Sequence, residues 1–362
     1  MICRKCENVG TITIKKDYCY CEICYLVYIN HKFRACIGKN KVITPNESIL
    51  IGLSGGIGSI VLLDLIHTGI TLNTHKKLRV QPHFVHLTGQ DGQDNVSEAI
   101  VEQCRKYGFT VHIISMSNYT SSNDILSCDL ASQTTSNDFI KRIKQNILAS
   151  IAKDLKCRLI FTAENATALA AKLLSDLVIG RGAQVENDIG FSDDRHEDIR
   201  ILRPLREITK EELQHYINIK GLVPACNHQL QNSLQSVIDN FVQNLEKESP
   251  ATISTICKTA DKIGSDNGGD QEKQCVFCKG KLDKDGTKLT AIQATTFSRI
   301  VSFANKQNES QLDDLINSHH EGISGKSMFP FIHTHLCYCC SRSYAEMDGT
   351  TLQQHIQRLI DK

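Results

Sequence analysis

The chain has 362 residues, 41 of them basic and 40 acidic, for a net charge of +1. That length suits one core domain of about 200 to 250 residues with smaller modules attached, and the balanced charge excludes a protein that grips nucleic acid by bulk electrostatics, leaving only a local basic patch for such contacts. The sequence carries 16 cysteines, opens on Met1-Ile2-Cys3-Arg4-Lys5-Cys6 with no apolar signal core, and has no apolar run of membrane-spanning length, so a reducing compartment, no membrane contact and metal-binding cysteine pairs are expected.

The first element is a pair of knuckles, Cys3-x2-Cys6 and Cys21-x2-Cys24, with fourteen residues between them. Four thiolates at that spacing predict a zinc-ribbon-like module, with Cys19 as a competing ligand. His31, Lys32, Phe33, Arg34, Lys39 and Lys41 follow. Such a segment can contact RNA phosphates, with Phe33 packing beneath; the alternative is a solvated charged face. These residues form a first region over 1–45.

From residue 46 to 263, strand and helix patterns alternate. Ile49–Leu53, Val80–Leu87, Thr110–Ser115, Arg158–Thr162 and Ile199–Leu202 read as short strands, and Ile60–His67, Ser97–Tyr107, Phe139–Asp154 and Ala166–Ile179 as helices. The alternation predicts an α/β fold with a doubly wound parallel sheet and a ligand crevice at the carboxyl ends of its strands. Ser117–Asn137, rich in polar residues, predicts a surface insertion. Leu234, Val237, Ile238, Phe241, Val242 and Leu245 follow helical spacing, with a second helix over Thr252–Ile263. That stripe serves either core packing or a partner.

Between the first strand and first helix stands Ser54-Gly55-Gly56-Ile57-Gly58-Ser59. A glycine turn at a helix N-terminus can cradle phosphate through the amides of Gly55 and Gly56 and the hydroxyls of Ser54 and Ser59; it can also merely connect strand to helix. The segment resembles the Ser-Gly-Gly-x-Asp-Ser pyrophosphatase loop of ATP-dependent adenylating enzymes, with Gly58 where those enzymes carry aspartate. Asp64 and Glu164-Asn165 can reach a nucleotide or metal at the same crevice, or be ordinary polar residues there. Residues 264–362 comprise a linker over Gly264–Gln274 and a second cysteine module, Cys275-x2-Cys278 with Cys337-x2-Cys340. Cys339, His333 and His335 compete as ligands.

Taken together, these residues resemble the cytoplasmic tRNA 2-thiolation protein 2 family. The likeness runs through Cys21-Glu22-Ile23-Cys24-Tyr25, His31-Lys32-Phe33-Arg34, Gly38-Lys39-Asn40, Ser54-Gly55-Gly56, Gly190-Phe191-Ser192-Asp193, Arg203-Pro204-Leu205-Arg206, Cys275-x2-Cys278 and Leu336-Cys337-Tyr338-x-Cys340. The resemblance implies an adenine nucleotide alpha hydrolase-like, PP-loop fold and a role in forming 2-thiouridine at the wobble position of cytosolic tRNAs for lysine, glutamate and glutamine. The implied partners are the catalytic thiolase subunit, cytoplasmic tRNA 2-thiolation protein 1, together with tRNA and a ubiquitin-related modifier that donates sulfur from a C-terminal thiocarboxylate. In that chemistry ATP adenylates the uridine C2 oxygen before sulfur displaces AMP.

Against the catalytic relatives this chain lacks three elements. Gly58 replaces the loop aspartate, Asn137-Asp138-Phe139-Ile140 stands where a Cys-x-x-Cys precedes the central helix, and Ala163-Glu164-Asn165 replaces a Gly-His-Asn turn. Cys128, Cys157 and Cys226 are the remaining thiol candidates, with Cys226 nearest the position of a late catalytic cysteine. A noncatalytic or weakly catalytic subunit of the thiolase, with bound zinc, is the leading expectation. One alternative is an ATP-dependent tRNA sulfurtransferase working through Ser54, Ser59, Asp64 and Cys226; another is a zinc-ribbon scaffold without RNA contact.

Overall fold

A computed structural model describes residues 2–15, 18–74, 77–89, 94–119, 130, 132–226, 232–263, 273–282, 335–345 and 358. The chain divides into two compact units, Met1–Gly268 and Gly269–Lys362. Cys128, His333, residues 264–272 of the expected linker and residues 283–328 lie outside the described residues.

In the first unit, strands β1 (Ile12–Lys15) and β2 (Tyr18–Tyr20) pair antiparallel and lead into helix α1 (Glu22–Asn40). The basic segment is therefore the second half of a helix. Tyr25, Ile29, Phe33, Cys36 and Ile37 recur at helical spacing and form its buried face, and the helix ends at Lys41 in the left-handed region, φ 48°. Phe33 is 1% exposed. It belongs to the core, which corrects the expectation that it packs beneath RNA.

The main sheet has six strands in the order β5-β4-β3-β6-β8-β7, namely Val111–Ser115, Val80–Thr88, Glu47–Gly52, Leu159–Phe161, Ile199–Leu202 and Ser192–His196. Five strands run parallel, and β7 runs antiparallel to β8 at the edge. Ile49, Leu50 and Ile51 of β3 are buried without alternation, as a central strand covered on both faces requires. Because β3 lies between β4 and β6, the winding direction reverses beside it, and the crevice of such a sheet opens there at the carboxyl ends. Strand β7 has no apolar signal. Its burial still alternates, but Asp193 and Arg195 occupy the inward positions.

Helices α2 (Ile57–Thr71), α3 (Asp94–Lys106), α4 (Gln133–Asp154), α5 (Ala166–Val178), α6 (Val185–Ile189) and α7 (Lys210–Lys220) connect these strands. Of the expected insertion, the described residues include the end of a short 3₁₀ turn, Met116–Asn118, and the start of α4, capped by Ser132. Helices α8 (Leu234–Glu248) and α9 (Pro250–Ile263) complete this unit. The α8 stripe divides, with Val242 in the core and Val237 and Phe241 facing solvent.

Charge, unusually, fills the space among α4, α5, α6, β7 and the end of β8. Arg142 donates to both oxygens of Asp188 (2.5 and 3.1 Å), Arg195 bridges Asp188 (2.8 Å) and Asp193 (2.8 Å), and Arg181 pairs with Asp138 (2.5 Å). Arg203 reaches Glu164 (2.8 Å) and the Gly190 carbonyl (2.8 Å), while Lys172 lies between Glu164 (3.4 Å) and Asp188 (3.8 Å). With Asp176, 3.9 Å from Arg142, five cations meet five carboxyl groups. Desolvation opposes every one of these charges, so each is kept only by its neighbours.

Burial works against the ionised forms of Asp138, Glu164, Asp188 and Asp193, but the adjoining arginines and lysines prevail and hold all four below the usual carboxylate range. Asp176 moves the other way, raised by burial and by Asp188. Depressed folded-state values mean stability that is present above the unfolded carboxylate pKa of about 4 and is lost as pH falls below it; Asp176 alone contributes in the opposite sense. Asp188→Asn is expected to cost about 3–5 kcal/mol in denaturant unfolding at neutral pH, because Arg142 and Arg195 lose their shared carboxylate, and to flatten the acid loss of stability seen in the wild type.

Candidate functional site

The loop after β3 is held from several sides. His86, buried on β4, donates from Nδ1 to the Leu53 carbonyl (2.7 Å), and Gly55 takes φ +83°, a left-handed turn that suits glycine. Gly56 is the N-cap of α2. The amide of Ser54, a group that could face phosphate, donates instead to Ser59 Oγ (2.9 Å), and the two serine hydroxyls lie 3.0 Å apart.

Cys226 covers this turn. Its amide donates to Gly55 O (3.1 Å) and its thiol to Ser54 O (3.3 Å). A Cβ at Gly55 would stand 3.1 Å from Cys226 Sγ and 3.2 Å from Ile100 and Val96, so side chains fill the space above the glycine. Burial raises the pKa of Cys226 while Lys144 nearby opposes it; a thiol in that state is a poor nucleophile at neutral pH.

Gly58 has a definite reason to be glycine. A Cβ there would lie 2.4 Å from the Ala163 carbonyl oxygen, on the turn at the carboxyl end of β6. Two of the departures from the catalytic pattern are thus one contact: the altered 163–165 turn occupies the space that an aspartate at 58 would need. The remaining acidic candidates are also engaged. Asp64 accepts from Tyr107 (3.0 Å) and Tyr216 (2.5 Å) and pairs with Lys220 (3.5 Å), tying α2 to α7. Glu164 holds Arg203 and Lys172, and Asn165 caps α5 by accepting from the Ala168 amide (2.9 Å). Asp138, at the position of the missing Cys-x-x-Cys, holds Arg181.

The cysteine pairs converge. Cys3, Cys6, Cys21 and Cys24 place their sulfurs within 4.8 Å of one another, and so do Cys275, Cys278, Cys337 and Cys340 in the second unit. Neither group includes Cys19, Cys226, Cys339 or His335. In the first group Cys6 Sγ lies 3.6 Å from both Cys21 and Cys24. Burial opposes the Cys3 thiolate, yet hydrogen bonds from the Cys21, Lys5 and Cys6 amides bring its pKa down to about 6. Cys24, crowded by Cys21 and Cys6, is pushed up to about 12. Four sulfurs this close together are arranged as a cysteine group able to hold a metal ion. In the second group Cys278 and Cys337 are 3.6 Å apart, the Cys275 amide donates to Gly280 O (2.7 Å), and helix α10 (Tyr338–Ala345) carries Cys340.

Among the cationic candidates, Lys32 turns inward and donates to both oxygens of Glu212 (2.9 and 2.7 Å), beside Tyr28, which donates to the same carboxylate (3.0 Å). Its charge is spent fastening α1 to α7. His31, Lys39 and Lys41 are exposed and Arg34 is half-buried; Lys39 and Lys41 lie at the amino end of β3, away from the loop. Sequence reasoning passed over Lys141 and Lys144 on α4, whose place at the crevice depends on the packing of that helix.

Comparison with known proteins agrees with this geometry. The family model for cytoplasmic tRNA 2-thiolation protein 2 matches residues 233–342, and that for the PP-loop domain matches residues 27–224. The chain is 30% identical to cytoplasmic tRNA 2-thiolation protein 2 of Drosophila simulans, covering 97% of this chain and 92% of that protein. It is 26% identical to the corresponding protein of Aedes aegypti, over 96% and 92%. The U34-tRNA thiolase NcsA from Methanococcus maripaludis, solved with its 4Fe–4S cluster, shares the fold, with a TM-score of 0.59 at 20% identity over 74% of this chain and 89% of its own.

Restoring the aspartate alone is not expected to restore a nucleotide site. Gly58→Asp should lower stability by about 1–3 kcal/mol through overpacking against Ala163. Calorimetric titration of that variant with ATP and magnesium should give no gain in binding over wild type; a tight new site would contradict the proposed blockage.

Proposed function

The chain belongs to the cytoplasmic tRNA 2-thiolation protein 2 family, and on that premise we propose that it is the noncatalytic subunit of a cytosolic complex that 2-thiolates wobble uridine in the tRNAs for lysine, glutamate and glutamine. The observation that carries this reading is the approach of Ala163 O to Gly58, together with a loop whose Ser54 amide and carbonyl are already bonded within the chain. A triphosphate would have to displace those bonds before meeting the helix N-terminus.

In this reading the catalytic thiolase subunit, joined as a heterodimer, adenylates uridine with ATP. A thiocarboxylated ubiquitin-related modifier supplies sulfur there. This chain contributes the fold and RNA contacts, with His31, Arg34, Lys39 and Lys41 as the α1 candidates. No helix among the described residues is long and apolar enough to cross a membrane.

Both cysteine groups hold structural zinc in this reading. Zinc–thiolate bonds of about 2.3 Å around one tetrahedral ion put sulfurs roughly 3.8 Å apart. The 3.6 Å contacts suit that geometry better than a four-iron cubane, whose thiolates are spread over separate irons. The two zinc ions would fix the knuckle turns and take no part in sulfur transfer.

The position of Cys226 on the loop favours one second reading, an active sulfurtransferase that uses this thiol. Thiolation assays separate the two. The chain copurified with its catalytic partner should form 2-thiouridine, the chain alone should not, and Ser54→Ala and Cys226→Ser should leave the activity of the complex within about twofold. Thiolation by the isolated chain, abolished in Cys226→Ser, would establish the second reading instead.

Metal analysis by native mass spectrometry should find two zinc ions per chain. Cys21→Ser should lose one and Cys337→Ser the other. Less than one metal per wild-type chain would remove both sites.

A further inference from the structure

Among the described residues at the carboxyl end of the sheet, Lys141 and Lys144 on α4 are two cations outside the salt bridges of the network. Leu148 of that helix lies against Gly52 at the end of β3, 3.5 Å from where a Cβ would be. Lys144, one turn earlier on the same face, lies near enough to Cys226 to oppose the rise in its thiol pKa. Lys141, a further turn back, acts electrostatically on Glu164, Lys172, Asp138 and Asp176. The row Lys141, Lys144, Leu148 therefore runs along the crevice from the β6 turn to the loop after β3.

Lys144 is exposed and Lys141 half-buried, and among the described residues neither forms a salt bridge. Lys141 lies in the field of the adjoining network without a salt bridge to it, because the five carboxyl groups there pair with five other cations. Amines beside a crevice and outside any salt bridge offer an anion a contact. A nucleotide triphosphate fits poorly, because the Ser54 amide is occupied and Cys226, Ile100 and Val96 stand over Gly55. A phosphodiester strand laid across the crevice needs none of those loop groups.

We propose that Lys141 and Lys144 form an RNA-phosphate contact at the carboxyl edge of the sheet, seating a tRNA strand beside the closed loop. This rests on the reading that the chain acts on tRNA. It places an RNA contact at the end of the sheet opposite Lys39 and Lys41.

The test measures affinity of the full chain for unmodified lysine tRNA across a salt series. Lys141→Gln with Lys144→Gln should weaken binding and make the slope of log affinity against log salt shallower by about 1.4–1.8, the release expected for two phosphates. Lys141→Arg with Lys144→Arg should restore both, which separates charge from folding damage. Millimolar ATP should not compete. An unchanged affinity and slope in the Gln variant, or competition by ATP that the Gln variant abolishes, would overturn the proposal. If the wild-type chain binds no tRNA this inference also falls, whereas the subunit reading stands or falls separately on the thiolation assay.

Discussion

A guanidinium removed from water must be neutralised on the spot, and Arg142 sets that requirement at the centre of the α/β unit. Its partners come from α4, α5 and α6, and the partners of those partners come from β7, the end of β8 and the turn after β6. No element in this region can shift without leaving a charge buried and unpaired. The family's Gly190-Phe191-Ser192-Asp193 and Arg203-Pro204-Leu205-Arg206 segments find their physical meaning here. Asp193 and Arg203 are members of the network, Gly190 offers its carbonyl to Arg203, and Leu205 is wholly buried. The contacts of these segments serve the fold.

The same economy of polar groups governs the loop. In a phosphate-binding turn, amides and hydroxyls point outward and wait for a ligand. Here Ser59 takes the Ser54 amide, Cys226 takes the carbonyls of Ser54 and Gly55, and Ala163 leaves no space beside Gly58. The loop has become a packed joint between β3, β6 and the segment ending at Cys226. Glu164 and Asp138, at two positions where the catalytic pattern differs, serve the ion network. The departures are therefore connected: at each of these positions the side chain or backbone has a structural partner.

What remains available for binding is charge that the structure does not consume. Lys32 is consumed by Glu212, whereas among the described residues Lys141 and Lys144 form no salt bridge. The distinction follows from tertiary position, since all three are ordinary lysines on helices. Likewise Phe33 and Phe241 both sit on helical apolar stripes, yet one is a core residue and the other faces water.

The sequence by itself determined the parallel sheet, because uninterrupted apolar runs such as Ile49–Leu53 alternating with helical patterns admit few other architectures. It also determined the two sets of four thiols, because Cys-x2-Cys spacing is a local property of knuckle turns. The antiparallel edge strand escaped it, since the inward residues Asp193 and Arg195 are charged and become acceptable in a core only when Asp188 of α6 and Arg203 after β8 fold against them and Arg142 arrives from α4. The meaning of Gly58 escaped it too. A missing aspartate is visible at one position, but the reason is a carbonyl oxygen more than a hundred residues later, and only the folded chain brings Ala163 against it.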